Sequence, residues 1–157
     1  MAKITPCLWF DFTAEAAVKH YLSVFRNGRI LEMQRYGDAM PEHAGKVLTI
    51  SFEIEGQRLL ALNSGPQFPF TEAISLMVDC VDQAEVDALW NALVAGGSES
   101  QCGWLKDRFG LSWQIVPRST LALLTSADRV RSGRAWQALM GMRKIDMAAV
   151  QRAYDGP

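Results

Sequence analysis

The apolar positions of residues 14–25 repeat at the spacing of an α-helix. They fall at i, i+1, i+4, i+5 and i+8 and form one stripe, as in a helix with one buried face. Thr13 is placed to cap the start of this helix, and Asn27 with Gly28 is placed to end it. Residues 3–10, which precede the helix, are rich in strand-forming side chains and predict a strand.

Apolar and polar residues alternate over 47–54, which predicts a strand with one covered face. Glu55 and Gly56 follow as a two-residue hairpin turn, and residues 57–63 form the second strand of the hairpin. Residues 29–36 predict a further strand. The first 63 residues therefore predict a strand, a helix and then three strands, in that order.

The same order of elements returns after the Pro- and Gly-containing connector 64–70. A strand over 73–80 is followed by Asp82 and Glu85, whose spacing is typical of a capping box at a helix start. Apolar residues then recur at helical spacing until a glycine pair, and short strands close near Pro117. This repeat of element order predicts two similar modules, each too small to be stable alone.

The sequence from 119 onward predicts a helical tail with a break near Gly141. We therefore expect one structural domain made of a first module over 1–65, a second module over 66–118 and a tail over 119–157. The tail carries apolar residues that are candidates for covering a second copy of the chain. These residues are Trp136, Leu139, Met140, Met142 and Ile145.

Charge and hydropathy exclude several classes of partner. The 157 residues include 16 basic and 17 acidic side chains, with a formal net charge of -1 and no block of like charge. Neither nucleic acid nor a membrane is therefore an expected partner. No apolar stretch approaches the roughly 18 residues of a membrane span, and the N-terminus lacks a secretory signal pattern. We expect a cytoplasmic protein.

Cysteine and histidine are scarce. Cys7, Cys80 and Cys102 are widely spaced and form no CxxC pair, so we expect reduced thiols. His20 falls on the first predicted helix, and His43 falls in a polar loop, where we expect it to be solvated.

The element order and four stretches of sequence resemble the PhnB-like family of the vicinal oxygen chelate superfamily. The superfamily includes glyoxalase I, bleomycin-resistance proteins and extradiol dioxygenases. The stretches are ITPCLWFDFTAEAAVKHYLSVF, GKVLTISFEIEGQRLLALNSGPQFPFTEAISLMVDC, QCGWLKDRFGLSWQIVP and MRKIDMAAVQRAY. The first begins at residue 4 and the last ends at residue 154, so the resemblance extends over almost the whole chain. The resemblance implies an α+β fold of two βαβββ modules, forming a curled mixed sheet around a cavity, with C-terminal helices and a homodimeric assembly.

The resemblance also implies that a metal would be held on the first and last strands of each module. Carried onto this sequence by strand parity, these positions are Thr5, Leu60, Ser75 and Gln114, of which only Gln114 is a plausible ligand. We therefore predict no metal and no cofactor. A divalent metal held by Cys7, Gln114 and a residue of the partner subunit is the alternative.

Some members of the family are described as demethylubiquinone methyltransferases. An S-adenosylmethionine site normally needs a Gly-rich strand-to-helix turn. The glycines here, Gly96, Gly97, Gly103 and Gly110, fall at a helix end and in turns instead. The residues therefore do not support this activity.

Strand parity defines the candidate cavity residues. Pro6, Leu8 and Phe10 face the first helix in this register, and their neighbours face away from it. The candidates for ligand binding are Thr5, Cys7, Trp9, Asn63, Ser75, Met77, Trp104 and Gln114. Each of these residues has a structural alternative. Cys7, Trp9 and Trp104 could instead be packed in the core. The Gln114 amide could be hydrogen-bonded within the protein, and Asn63 could cap a turn. Trp90 and Trp113 are assigned to the core, and Asp107 to an Asx turn.

Two functions from different classes are consistent with these residues. The first is metal-independent binding of a small molecule, which needs only a concave pocket with a few polar anchors. The second is a metal-dependent isomerase, lyase or dioxygenase acting on a small oxygenated substrate. No nucleophile, base and orienting group can be identified together, so no catalytic residue is predicted.

Overall fold

The segments of helical and alternating periodicity fold into an α+β protein. The computed structural model describes residues 3–157, which contain two four-stranded mixed sheets, neither of them closed, and C-terminal helices. The predicted fold class is therefore confirmed. The chain divides into two compact units, the first ending at Phe70 and the second running from Thr71 to Pro157.

The first unit is a βαβββ module. Its elements are β1 (Cys7–Phe10), α1 (Ala14–Val24), β2 (Arg29–Arg35), β3 (Val47–Ile54) and β4 (Gln57–Asn63). The sheet order is β1-β4-β3-β2, with β1 parallel to β4 and the other neighbours antiparallel. Strand β1 begins at Cys7 rather than at residue 3, since Pro6 has no N–H to donate to the ladder.

Helix α1 covers one face of this sheet. Its apolar stripe of Ala14, Ala17, Val18 and Tyr21 is buried. The strands turn their own buried apolar residues to the helix, among them Ile50, Phe52, Leu59 and Ala61. Because side chains alternate along a strand, the neighbours of these residues lie on the opposite side. That side, which no helix of the first unit covers, is termed the open face of the first sheet.

The start of α1 is capped from a distant strand. Thr13 stands at the N-cap position, but within the described residues its side chain makes no hydrogen bond to the helix. Asn63 at the end of β4 instead accepts the Ala14 N–H through Oδ1 at 3.0 Å. The Asn63 Nδ2 donates to the Val47 carbonyl at 3.1 Å, and the Tyr36 hydroxyl donates to the Asn63 carbonyl at 2.5 Å. Thr13 is thus the N-cap residue as predicted, but the capping hydrogen bond comes from Asn63 and not from its own side chain.

The ends of the other predicted elements agree more closely. Glu55 and Gly56 both have positive φ, 47° and 77°, as the predicted two-residue hairpin turn requires. Helix α1 ends at Val24 with Phe25 as its C-cap, a few residues before the predicted Asn27 and Gly28.

The second unit repeats the module and adds three helices. Its elements are β5 (Ser75–Val78), α2 (Gln83–Val94), β6 (Ser98–Glu99), β7 (Trp104–Lys106), β8 (Ser112–Ile115), α3 (Arg118–Leu124), α4 (Arg129–Met140) and α5 (Met147–Asp155). The sheet order β5-β8-β7-β6 matches that of the first unit, so the predicted repeat is confirmed. The Asp82 carboxylate accepts the Glu85 N–H at 2.9 Å and caps α2 as predicted.

The core of the second unit contains the tryptophans that were assigned to it. Trp90 of α2 and Trp113 of β8 are both buried. Asp107 forms the predicted Asx turn, since its Oδ1 accepts the Phe109 N–H at 2.8 Å. Its Oδ2 also accepts the Trp113 Nε1–H at 2.9 Å.

The helical tail is an integral part of the second unit. The Cys102 and Gly103 N–H groups donate to the carbonyls of Met142 and Arg143 at 2.9 and 2.7 Å. The Gln83 side chain donates to the Ile145 carbonyl at 3.0 Å and accepts the Met147 N–H at 2.9 Å. These four bonds hold the segment after α4 against the module.

The predicted break at Gly141 is confirmed, because this residue is the C-cap of α4. Leu139 and Ile145 are buried in the cluster that the tail forms with Val116. The prediction that these two cover a second copy of the chain is therefore wrong. Trp136 and Met140 remain 44% and 60% exposed.

Among residues 3–157, no helix has both the length and the apolar character needed to cross a membrane. Helices α2 and α4 have 12 residues each. At about 1.5 Å per residue such helices are well short of a hydrocarbon layer of about 30 Å.

Candidate functional site

A groove of about 320 Å³ lies on the open face of the first sheet. Register brings its side chains together, because Glu32 pairs with Ser51 and Ser51 pairs with Leu60 across adjacent strands. Thr49 and Gln34 form the next pair on the same face. The lining residues are Thr5, Glu32, Gln34, Thr49, Ser51, Arg58 and Leu60.

The groove combines one cation, one carboxylate and several neutral polar groups around an apolar residue. The Arg58 Nε donates to Ser51 Oγ at 3.2 Å. Arg58 forms no ion pair within the described chain, whereas Arg29 on the same sheet pairs with Glu53 at 3.4 Å. Glu32 accepts from the Gln34 amide at 3.0 Å. Most of the Arg58 guanidinium donors are thus available to a ligand.

Three of the predicted residues of the first unit lie on this open face. Thr5 lines the groove. Cys7 is exposed and pairs in register with Leu60. Trp9 is half-buried, donates its indole N–H to the Gly65 carbonyl at 2.8 Å and meets the Phe68 ring edge-on at 4.9 Å. The connector after β4 therefore fixes the orientation of the Trp9 ring.

The Cys7 thiol is held in its neutral form. Partial burial raises the pKa of this thiol above its ordinary value. A metal ligand or nucleophile of this type acts as the thiolate, which burial disfavours.

Asn63, the fourth predicted residue, does not lie with the other three. It is 1% exposed, and both ends of its amide are occupied by the backbone groups of Ala14 and Val47. Its position is on the helix-facing side of β4, where it joins the helix start to the sheet.

The second sheet brings its four predicted residues together. Register pairs Met77 with Gln114 and Trp104 with Gln114, so these side chains share one face. Ser75 lies on the same face and accepts a hydrogen bond of 2.8 Å from the Gln114 amide. Trp113 and Ile115 point to the other face and are buried. The face of Ser75 and Gln114 is termed the open face of the second sheet.

The four positions at which the resemblance implies metal ligands do not form a donor set. Thr5, Leu60 and Ser75 lack the imidazole, carboxylate or thiolate groups that bind divalent ions strongly. Gln114 has an amide oxygen, but its nitrogen is bonded to Ser75. Among residues 3–157, no group of three His, Cys, Asp or Glu side chains is placed to hold a metal. The residues present do not fit the superfamily's metal.

His43 is not solvated as predicted. Its ring packs against those of Phe12 and Tyr36, with centroids 4.8 and 5.2 Å away. Its Nδ1 is buried and has no hydrogen-bond partner in the described part of the chain. The expectation from a polar loop sequence is wrong because loop residues 37–46 fold back onto these two rings.

Sequence reasoning did not select the polar side chains that line most of the groove. These are Glu32, Gln34, Thr49, Ser51 and Arg58. A signal was present, because Arg58 shares strand parity with Leu60, and Thr49 and Ser51 alternate with buried Ile50 and Phe52. A search that carries over only the metal positions implied by the resemblance, on the first and last strands of each module, passes over these side chains.

Comparisons with known proteins place these features in a family. A family model described as 3-demethylubiquinone-9 3-methyltransferase matches residues 2–116. A solved structure of a PhnB protein from Bacillus cereus is 32% identical, with 74% of this chain and 99% of that chain covered and a TM-score of 0.68. A Pseudomonas aeruginosa protein is 26% identical over 72% of this chain and 95% of that chain, with a TM-score of 0.59.

A further solved structure is that of the fosfomycin resistance protein FosX from Listeria monocytogenes, complexed with Mn(II) and sulfate. It is 15% identical, with 72% of this chain and 90% of that chain covered and a TM-score of 0.46. No curated protein shows a significant sequence match to the chain.

Proposed function

The chain belongs to the PhnB-like family of the vicinal oxygen chelate superfamily, and we propose that it binds a small organic molecule without a metal ion. The groove on the open face of the first sheet is the observation that carries this proposal. Its volume of about 320 Å³ is at the lower end of the range found for small-molecule sites. We therefore expect the ligand of this groove to be a small molecule.

The chemistry of the groove favours a ligand that carries oxygen. Leu60 offers an apolar contact, while Arg58 offers guanidinium donors that no carboxylate of the described chain occupies. The hydroxyl groups of Thr5 and Thr49 add further hydrogen-bonding positions. An arrangement of this kind orients a ligand without supplying a group that reacts with it.

Two arguments support metal independence. The residues at the four family positions are not a divalent donor set, and the neutral Cys7 thiol is a poor substitute. The alternative, a metal-dependent isomerase, lyase or dioxygenase, needs Cys7 and Gln114 to join a residue of the partner subunit. In that case Gln114→Ala would remove both the metal and the turnover.

A methyltransferase activity, as in the family's description, finds less support in the fold. The strand-to-helix turns of the described chain are residues 11–13, 79–82 and 116–117, and none of them contains a glycine. The close approach of a backbone to a cofactor at such a turn usually requires glycine. Calorimetry with S-adenosylmethionine tests this activity directly, and saturable binding would favour it.

We also propose a homodimer located in the cytoplasm. The family resemblance and the half-exposed Trp136 and Met140 support self-association. Light scattering at several concentrations measures this state, and a constant monomer mass would contradict it.

Native mass spectrometry of protein purified without a metal-chelating tag tests the central proposal. We expect no stoichiometric divalent ion and a retained organic mass in the wild type. Arg58→Met should lose this mass, and Arg29→Met should keep it, because Arg29 does not line the groove and is paired with Glu53. A stoichiometric divalent ion that disappears in Gln114→Ala would overturn the proposal, as would a mass retained equally by Arg58→Met.

A further inference from the structure

Two charged side chains of opposite sign line the groove of the first sheet. They are Glu32 and Arg58, and neither forms an ion pair with any residue in the range 3–157. The neighbouring charges of the same sheet neutralise each other, because Arg29 pairs with Glu53 at 3.4 Å. Within the described chain, the groove therefore presents one unpaired carboxylate and one unpaired guanidinium group to a ligand.

The two charges lie on opposite sides of Ser51. Glu32 on β2 is the register partner of Ser51 on β3, and Arg58 on β4 donates its Nε–H to Ser51 Oγ at 3.2 Å. Because β3 lies between β2 and β4, the backbones that carry the two charges are about 10 Å apart. A ligand with its own two charges a few bonds apart can therefore contact both side chains at once.

One neutral hydrogen bond orients each charged group. The Gln34 amide donates to the Glu32 carboxylate at 3.0 Å, and the Ser51 hydroxyl accepts from Arg58. A carboxylate has about four acceptor positions, and a guanidinium group has five N–H donors. Both groups thus keep most of their hydrogen-bonding capacity for a ligand.

A ligand that fills the groove takes both charged groups out of water. Burial of a charge is costly unless the charge gains an opposite partner. An acid alone would pair with Arg58 but would place a second negative charge beside Glu32. An amine alone would pair with Glu32 but would leave the Arg58 guanidinium buried without a counterion. A ligand with a single charge is therefore disfavoured.

We propose that the groove of the first sheet is specific for a small zwitterion of the amino acid type. Its acidic oxygens bind the Arg58 guanidinium, its ammonium group binds the Glu32 carboxylate, and its side chain lies against Leu60. This inference rests on the proposed function of the groove and adds to it the class of ligand and the role of Glu32.

Leucine and two capped derivatives test the charge requirement in the full chain. Leucine carries both charges, N-acetylleucine lacks the ammonium group, and leucinamide lacks the carboxylate. Titrations followed by the NMR signals of the Ser51 and Leu60 amides and of the Arg58 Nε–H give both the affinity and the place of binding. We expect saturable shifts with leucine. Each derivative should bind about tenfold more weakly or worse, because each loses a charge-assisted hydrogen bond.

Two variants should change these preferences in opposite ways. Glu32→Gln removes the partner of the ammonium group, so it should bind leucine and N-acetylleucine about equally and still disfavour leucinamide. Arg58→Met removes the partner of the acid, so it should bind leucine and leucinamide about equally and still disfavour N-acetylleucine. A partly unfolded protein cannot produce this crossed pattern, because it would weaken the binding of all three compounds alike.

The matched control is Glu15→Gln, which removes the same charge from outside the groove. Glu15 is exposed in the first turn of α1, the helix that covers the other face of the sheet. This variant should leave the affinities of the three compounds and their order unchanged. The Tm of all three variants should stay close to that of the wild type, since the substituted residues are exposed.

The inference is overturned if N-acetylleucine binds the wild type as tightly as leucine does. It is equally overturned if leucine produces no saturable shift of the groove signals, or if Glu32→Gln keeps the wild-type preference for leucine over N-acetylleucine.

These outcomes are distinguishable from failure of the proposed function. Tight binding of N-acetylleucine in the groove would identify a site for simple anions, which contradicts the zwitterion and leaves small-molecule binding in place. Failure of the proposed function is measured separately by native mass spectrometry, as a stoichiometric divalent ion or as an organic mass that Arg58→Met retains.

Discussion

Asn63 holds three parts of the first unit together, and its removal should cost more stability than any other single polar change in that unit. In Asn63→Ala the Ala14 N–H at the start of α1 and the buried Val47 carbonyl both lose their partners. The bond from the Tyr36 hydroxyl survives, because it ends on the Asn63 backbone.

The magnitude follows from the two lost bonds. Loss of a helix N-cap costs about 1 kcal/mol, and a buried carbonyl left without a donor costs about 1–3 kcal/mol. We therefore expect the free energy of unfolding to fall by about 2–4 kcal/mol. For a chain of this size each kcal/mol lowers Tm by roughly 2–4 °C.

The matched control is Thr13→Ala. Thr13 stands at the N-cap position by sequence, but its side chain makes no hydrogen bond to the helix within the described residues. Its removal should change the free energy of unfolding by less than about 0.5 kcal/mol. Asn63→Asp keeps the acceptor for Ala14 and loses the donor to Val47, so it should fall between the two.

Urea unfolding followed by circular dichroism gives the free energies, and hydrogen exchange of the Ala14 amide reports on the cap itself. Exchange at Ala14 should accelerate in Asn63→Ala and stay unchanged in Thr13→Ala. The reasoning is refuted if Thr13→Ala costs as much as Asn63→Ala, or if Ala14 exchanges at the wild-type rate in both.

Three further predictions concern the second unit. A Cβ at Gly97 would lie 2.0 Å from the Lys106 carbonyl oxygen, so Gly97→Ala should strongly lower the Tm measured by thermal denaturation or prevent folding. The control is Gly37→Ala, which should change Tm little, because a Cβ at Gly37 would meet no described atom within 4 Å. Gln83→Ala loses both hydrogen bonds to the tail, so limited proteolysis should cut the tail faster than in the wild type, and equal rates would contradict its role. Burial, with nearby carboxylates, raises the pKa of the Cys80 thiol from 9.0 to about 12. The unfolded chain therefore ionises this thiol first, stability should fall as the pH rises from about 9 to 12, and a Cys80→Ala variant with an equally steep fall would refute this cause.

Local patterns predicted the elements of the fold well, because their causes lie within a few residues. The capping of α2 by Asp82 depends on Glu85, three positions away. The hairpin at Glu55 and Gly56 depends on the two residues of the turn. Long-range contacts had no such signal. The cap of α1 comes from Asn63, which is 49 positions away from its partner Ala14.

The candidate site was predicted in outline by strand parity. Parity placed Thr5, Cys7 and Trp9 away from the helix, and register confirms that Ser75 and Gln114 share a face. Asn63 was misplaced because it ends β4 on the buried side. Arg58 was missed, because its availability to a ligand depends on the absence of a carboxylate partner in the described part of the chain, which only the structure shows.

The docking of the tail has a consequence for synthesis of the chain. The family match ends at residue 116, but the turn at Cys102 and Gly103 is bonded to residues 142 and 143, and Ile145 packs beside Val116. The first unit has all of its helices and strands once residue 70 has been synthesised. The second unit must wait for almost the last residue, so translation leaves its apolar surface open longest.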